Sequence, residues 1–185
     1  MAKNKYAADY RLIEEFDSRG RVRVSLEYIG KDYRYAHGAD RVRKHLKRCL
    51  AACAAAWLFF IAAIIPYTES MHQLSAALPY AFSALPLGML TSFTLSLRGV
   101  KEPLEHRTSD RIEYDYPAYC MALLLMQSIT FIAASAGMIF RFFRGQMPVT
   151  GDFCFLSCCV FILAAAAFLL KKRSELETAC ADEGH

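Results

Sequence analysis

A run of basic residues that leads directly into a long apolar segment is the feature that most constrains this chain. The run RVRKHLKR, residues 41–48, is followed by CLAACAAAWLFFIAAIIP, residues 49–66, which carries no charge. Leu, Ile and Phe each favour membrane insertion by about 0.3–0.6 kcal/mol, whereas one central Lys or Arg opposes it by about 2.5–3.5 kcal/mol. The junction therefore predicts a transmembrane helix with a basic collar at one membrane surface.

Three further apolar segments have the length of membrane-crossing helices. They lie at about 75–97, 118–140 and 153–170, in a chain whose residues are 55% hydrophobic. A helix of about 20 apolar residues crosses the hydrocarbon core of a bilayer. The sequence thus predicts an all-α membrane protein with four transmembrane helices at about 41–66, 75–97, 118–140 and 153–170. A loop at 98–116 and a short tail at 171–185 complete this domain.

The distribution of Lys and Arg predicts the orientation of these helices. Basic residues are dense before the first helix, recur in the loop 98–116 and follow the last helix at 171–173. The first connector has none, and the last has only Arg141 and Arg144. By the positive-inside rule, both termini and the middle loop are expected in the cytoplasm, with the protein in the inner membrane of a bacterium. The first apolar segment begins too late for a cleaved signal peptide, so we expect the N-terminus to be retained.

Residues 1–40 read as a small cytoplasmic β-hairpin appendage. Val22, Val24, Leu26 and Tyr28 alternate with polar residues in RVRVSLEY, which is the period of a strand. A partner strand is expected at 11–16, with a turn at 17–20 and a third short strand at 33–35. So few strands are marginally stable in water, and their apolar face requires a cover of lipid headgroups, the chain's own loops or another subunit.

The segment RIEYDY, residues 111–116, also alternates apolar and charged residues. We expect it to add to the hairpin as an edge strand and to cover part of its apolar face. The apolar residues of both segments form the predicted partner-binding set: Val22, Val24, Leu26, Tyr28, Ile112 and Tyr114.

The second and third apolar segments carry patterns typical of packed membrane helices. Gln127, Thr130, Ala134 and Gly137 share one face of the third helix and predict the seam of the bundle, because small residues allow close approach and a buried amide seeks a partner. A ligand contact by Gln127 is the alternative. Pro79 and Pro86 interrupt the second helix, either as ordinary membrane-helix prolines or as a gating hinge.

Three interpretations of the basic collar can be considered: an orientation signal, a site for anionic lipid and a site for nucleic acid. It is first an orientation signal, and it is also suited to bind anionic lipid, since each basic residue near a membrane surface contributes about 1 kcal/mol. The residues expected at the lipid surface are Arg41, Arg43, Lys44, Lys47 and Arg48. Nucleic-acid binding is not expected, because no recognisable module of stacking aromatic residues accompanies the charge.

Signatures of catalysis are weak. The interiors of the four apolar segments contain no Asp, Glu, Lys, Arg or His, which disfavours a proton relay or an ion-coupled transporter. In the middle loop, Glu105, His106 and Asp110 form either a solvated charged stretch, which we prefer, or an acid–base set. The seven cysteines are interpreted as reduced thiols that serve as small apolar side chains.

No metal, cofactor or catalytic residue is predicted. The pairs Cys49/Cys53 and Cys154/Cys158 have the spacing of one helical turn, but the predicted topology places them in opposite leaflets, so they cannot supply four ligands to one ion.

The predicted function is that of a non-enzymatic accessory or scaffold subunit that contacts a partner protein, or another copy of itself, through its cytoplasmic hairpin. The alternatives are a small transporter or channel component that acts as an oligomer, and an enzyme at the membrane surface. The substrate, the partner and the stoichiometry are not specified by the sequence.

Overall fold

The computed structural model describes residues 7–16, 22–66, 68–100 and 103–180. Five α-helices are formed: α1 Ala39–Ala62, α2 Leu74–Arg98, α3 His106–Asp110, α4 Tyr116–Phe143 and α5 Thr150–Lys171. Four strands accompany them: β1 Tyr10–Phe16, β2 Val22–Tyr28, β3 Tyr33–Tyr35 and β4 Thr178–Cys180. A π-helical turn at Arg111–Asp115 joins α3 to α4. Four helical spans in the described chain are therefore long and apolar enough to cross a membrane, as predicted.

The long helices form a closed four-helix bundle. Going round the ring, α1 packs against α2, α2 against α4, α4 against α5, and α5 back against α1. The short connection between α1 and α2 makes them antiparallel neighbours, as expected. We call the end where α1 and α4 begin and α2 and α5 finish the hairpin end, and the opposite one the far end.

Helical spacing of small and large side chains builds the interior of the bundle. In the uncharged part of α1, from residue 49 onward, the buried positions are Cys49, Cys53, Ala56 and Phe60, which recur every three or four residues along one face. Cysteine acts here as a small apolar side chain, and all seven cysteines are unpaired. Large apolar residues also cover the outside of the bundle, with Leu58 and Ile132 both more than 60% exposed.

The start of α1 differs slightly from the prediction. The helix was predicted to begin at residue 41, but the cap position is Gly38, and Asp40 lies in the first turn. Gly38 has a φ of 77°, a left-handed conformation that glycine adopts without a steric penalty. An acidic residue in the first turn still interacts favourably with the helix dipole.

The N-terminal hairpin is present, with strand bounds close to the prediction. Strands β1 and β2 are antiparallel, with Tyr10 opposite Tyr28, Leu12 opposite Leu26 and Arg11 opposite Glu27. The apolar residues of β2 therefore share one face with Tyr10 and Leu12, because directly opposite residues point the same way. The predicted turn at 17–20 lies outside the described residues.

The third strand is formed, but it does not extend the hairpin. β3 pairs with β4 from the C-terminal segment, with Tyr33 opposite Cys180, and Tyr33 also forms a bridge to Leu104. The tail is consequently held against residues that lie just before α1. No sequence pattern indicates this pairing, because a strand of three residues shows too little alternation to be recognised.

The expected edge strand at 111–116 is wrong, and the segment is helical. Ile112 and Tyr114 lie in the π-helical turn, which leads into α4 with Pro117 near the first helical position. Proline is well tolerated there because its nitrogen would have no helical partner. Arg111 and Asp115 form an ion pair of 3.4 Å across one turn, a spacing that supports a helix. Ile112 is 6% exposed and joins the core, so packing decides against the strand.

Candidate functional site: the hairpin end

Two tyrosines attach the hairpin to the segment before α3. The hydroxyl of Tyr10 donates to Glu105 Oε2 at 2.6 Å. The hydroxyl of Tyr28 accepts the backbone N–H of His106 at 2.8 Å and donates to the carbonyl of Lys31 at 2.7 Å. The two rings meet edge to face with centroids 5.4 Å apart. One end of the hairpin is thereby fixed to the bundle.

The environment of these hydroxyls favours their neutral forms. The hydrogen bond to Glu105 raises the pKa of Tyr10, since a tyrosinate could not donate and would face a carboxylate. Partial burial raises the pKa of Tyr28, in spite of the opposing effect of the His106 N–H. The attachment therefore depends on protonated phenols.

His106 is held between two carboxylates rather than left in solvent. Its Nδ1 lies 3.1 Å from Asp9 Oδ2, and its Nε2 lies 3.5 Å from Asp110 Oδ1. The ring stacks on Tyr33 with centroids 5.6 Å apart. The predicted acid–base set is thus brought together with Asp9, which the sequence did not indicate. Glu105 and His106 link Tyr10 and Asp9 at the N-terminal side to the start of α3, an arrangement that suits attachment.

The apolar face of the hairpin is open. Leu12 is 62% exposed, Val24 57% and Leu26 69%, whereas Tyr28 is half-buried against the loop. The side chain of Val22 lies outside the described residues. Exposed apolar residues that are contiguous on one face commonly mark an interaction site. Of the predicted partner-binding set, Val24 and Leu26 lie on this open face, next to Leu12, and Tyr28 lies at its attached end.

The remaining two members of that set lie elsewhere. Ile112 and Tyr114 border a cavity of about 620 Å³ at the hairpin end, which the basic Arg173 and the acidic Glu113 also line. Tyr114 is 63% exposed there. The structure therefore separates these residues from the open face of the hairpin, because they belong to the helix and not to the sheet.

The collar residues all point outward from the start of α1. Their exposed side chains form a basic rim around the hairpin end: Arg41, Arg43, Lys44, Lys47 and Arg48. Between them, His45 points inward and is 2% exposed, with Nε2 3.1 Å from Cys49 Sγ and Nδ1 3.5 Å from Glu175 Oε2. Glu175 also accepts a bond of 2.9 Å from Lys172, and this bond lowers the pKa of its carboxyl. The chain thus ties its C-terminal segment to α1.

The predicted seam residues lie between α4 and its neighbours. Gln127, Thr130 and Ala134 have no exposed surface, and the Gln127 amide donates to Ser83 Oγ on α2 at 2.8 Å. Among the described residues, the Gln127 carbonyl oxygen has no hydrogen-bond partner. Gly137 lies against Gln73, whose side-chain oxygen leaves no room for a Cβ at that position. These contacts are those of helix packing.

The two prolines of α2 leave the helix continuous. Pro79 and Pro86 both lie inside Leu74–Arg98, and Pro86 is buried. Beside them, the Ser83 hydroxyl donates to the Tyr80 carbonyl at 2.6 Å. The carbonyls that the two prolines leave without a helical donor are those of Ser75 and Phe82, so this bond does not replace the missing ones.

The far end carries a buried ionic cluster that sequence reasoning undervalued. Asp152 has no exposed side-chain surface, and its Oδ1 accepts from the Thr68 hydroxyl at 2.7 Å, the Ser70 hydroxyl at 2.7 Å and the Ser70 N–H at 3.0 Å. Its Oδ2 accepts from Arg141 Nη2 at 3.0 Å. Arg141 also approaches Glu69 at 3.6 Å. The cluster joins the first connector to α4 and α5.

Within the described residues, no group of three or more His, Cys, Asp and Glu side chains is arranged to hold a metal ion. Comparison of the chain with protein-family models, with curated proteins and with solved structures found no match. Functional inference for this protein therefore depends on the geometry of its own residues.

Proposed function

We propose that this protein is a non-enzymatic, multi-pass membrane scaffold whose cytoplasmic hairpin docks a partner. The observation that carries the proposal is the open apolar face of Leu12, Val24 and Leu26, each more than half exposed on a hairpin that is tied to the bundle at one end. A structure that fixes an apolar face and leaves it uncovered is suited to binding.

Apolar residues on the outside of the bundle support membrane embedding. A helix that is hydrophobic on all sides is stable only in a large core or in lipid. The outward side chains of the four helices include Leu58, Leu85, Ile132 and Phe161, all more than half exposed. A bilayer removes this surface from water and leaves the polar hairpin end outside.

The charge distribution supports a cytoplasmic hairpin end. Of the 22 Lys and Arg, only Arg141 and Arg144 belong to the far ends of the helices and their connectors. The positive-inside rule counts Lys and Arg rather than net charge, and two such residues at the far end are few beside the other twenty. The exposed collar would then lie at the inner membrane surface, where Lys and Arg attract anionic lipid.

The alternative of an oligomeric transporter has weaker support. It assigns Gln127 and Pro86 to a solute pathway, but both are buried within one chain, and the Gln127 amide is bonded to Ser83. The enzyme alternative is weaker too, because His106 is engaged by Asp9 and Asp110 in attaching the hairpin.

Purification in mild detergent tests the docking function. We expect a stoichiometric partner protein to remain with the wild-type protein and to be lost from Leu26→Asp. The partner would have to bury the introduced carboxylate, and burying a charge without an opposite charge is costly. Arg11→Gln, on the opposite face of the same hairpin, is the matched control and should retain the partner. Wild-type protein that purifies alone, or Leu26→Asp that keeps its partner, would refute the proposal.

A further inference from the structure

Strand β2 has an open outer edge. Of the described strands, only β1 pairs with it, and the two form a two-stranded sheet. The Ile29 N–H donates to the Asp9 carbonyl at 2.8 Å, so odd-numbered residues of β2 direct their backbone groups toward β1. The even-numbered residues, including Val24 and Leu26, therefore direct theirs outward. Unpaired edges of this kind are ready to accept another strand.

The sequence of β2 is complementary to itself in the antiparallel direction. VRVSLEY is centred on Ser25, with apolar Val24 and Leu26 on either side and the oppositely charged Arg23 and Glu27 beyond them. Two copies paired about Ser25 place Val24 opposite Leu26, and Arg23 opposite Glu27, at both symmetry-related positions. Opposite charges and apolar pairs at directly opposed positions stabilise a sheet.

The hydrogen-bonding pattern permits this register. With Ser25 at the centre, the outward backbone groups of Val24 meet those of Leu26 in the second copy, as an antiparallel ladder requires. A shift by one residue would place the outward backbone groups of one β2 opposite the inward backbone groups of the other, and the hydrogen bonds between the two strands could not form. A shift by two residues shortens the overlap and separates Arg23 from Glu27. The register about Ser25 is the one that uses the full strand.

We infer that two copies of this chain join through β2 to form a continuous four-stranded sheet, with strand order β1–β2–β2–β1. This inference goes beyond the proposed docking function, because the second copy pairs along the edge of β2 and leaves the open face of Leu12, Val24 and Leu26 available to a partner. Closed two-fold symmetry is the commonest arrangement of oligomers, and the same edge is used on both sides. An isolated two-stranded hairpin is only marginally stable in water, whereas a sheet of three or more strands with an apolar face can be stable, so pairing two hairpins stabilises both.

The edge of β1 fits a second copy less well. Pairing YRLIEEF with itself about Ile13 sets Arg11 opposite Glu15, but it also sets the apolar Leu12 opposite the charged Glu14. Charge complementarity combined with apolar matching therefore selects β2. The resulting sheet places the Leu12, Val24 and Leu26 residues of both copies on one shared face, because opposed residues lie on the same side.

Cysteine cross-linking in membranes tests the inference. The background variant has alanine in place of the three cysteines that are not fully buried: Cys154, Cys158 and Cys180. Ser25→Cys should give a disulfide-linked dimer on mild oxidation, since residues at a non-hydrogen-bonded pair bring their Cβ atoms close. Ile13→Cys, its cross-strand neighbour on β1, is the matched control and should stay monomeric. A dimer from Ile13→Cys alone, or from neither variant, would overturn the inference.

A charge-swap experiment tests the register without cross-linking. The fourfold variant Arg11→Glu, Glu15→Arg, Arg23→Glu and Glu27→Arg keeps opposite charges within each hairpin and within a dimer of two swapped chains. Differently tagged copies should therefore co-purify as wild type with wild type and as swapped with swapped. The mixed pair should not co-purify, because it sets like charges opposite each other. Equal recovery of the mixed pair would contradict the register.

The two proposals fail in different ways. If Leu26→Asp releases a different protein while Ser25→Cys remains monomeric, docking through the hairpin stands and pairing of two copies is wrong. If no protein is released and no tagged copy co-purifies, both are wrong.

Discussion

Removal of the charge at Asp152 is expected to destabilise the far end of the bundle strongly. Asp152→Asn preserves shape but leaves Arg141, whose side chain is 13% exposed, without its closest anionic partner. Breaking a buried ion pair by removing one member costs about 3–5 kcal/mol. Glu69 lies 3.6 Å from Arg141 and is 43% exposed, so it compensates in part, and we expect a loss of about 3 kcal/mol.

The loss can be measured by reversible unfolding in mixed micelles, followed by helical circular dichroism. Glu69→Gln is the matched control, and it should cost less than about 1 kcal/mol because exposed ion pairs contribute little. The double variant Arg141→Gln with Asp152→Asn should be more stable than Asp152→Asn alone, since it leaves no buried unpaired charge. Equal effects of Asp152→Asn and Glu69→Gln would refute this reasoning.

Two further predictions concern the bundle seam and the hairpin attachment. Gln127→Leu should change the free energy of unfolding by less than about 1 kcal/mol. A hydrogen bond between membrane helices contributes about 0.6 kcal/mol, and the substitution also removes an unpaired buried carbonyl. A larger loss of stability on unfolding in micelles would contradict this. The pKa values of Tyr10 and Tyr28 are raised on folding, so their contribution is complete below about pH 10 and is lost as pH rises through the folded values. The protection factors of the β1–β2 amides, which correct for the base-catalysed intrinsic exchange, should therefore fall reversibly at alkaline pH in the wild type. The double variant Tyr10→Phe with Tyr28→Phe should lack this fall.

The helical bundle was predictable because the apolar sequence segments that form it are long. Four segments of about 20 apolar residues leave few alternatives, and the face that carries Gln127 and Ala134 follows the helical period. The hairpin was predictable for a similar reason, since seven residues of β2 alternate without a break. Both signals are local and repeat several times within one element.

The details that escaped prediction depend on short segments or distant partners. RIEYDY offers only three alternations, which fit a helix start as well as a strand, and burial of Ile112 decides the outcome. The attachment through Tyr10 and Glu105 joins residues 95 positions apart. Arg141 stood out only as a charge in a connector, whereas its significance comes from Asp152 and from Ser70, which reaches both from another part of the chain.

Cysteine accessibility in intact cells tests the membrane topology on which the docking proposal depends. In the background lacking Cys154, Cys158 and Cys180, a membrane-impermeant maleimide should label Gln146→Cys at the far end from outside. It should label Ser25→Cys in the hairpin only after the cells are opened. Labelling of Ser25→Cys from outside, or protection of Gln146→Cys until lysis, would contradict a bundle that crosses the membrane with its hairpin in the cytoplasm.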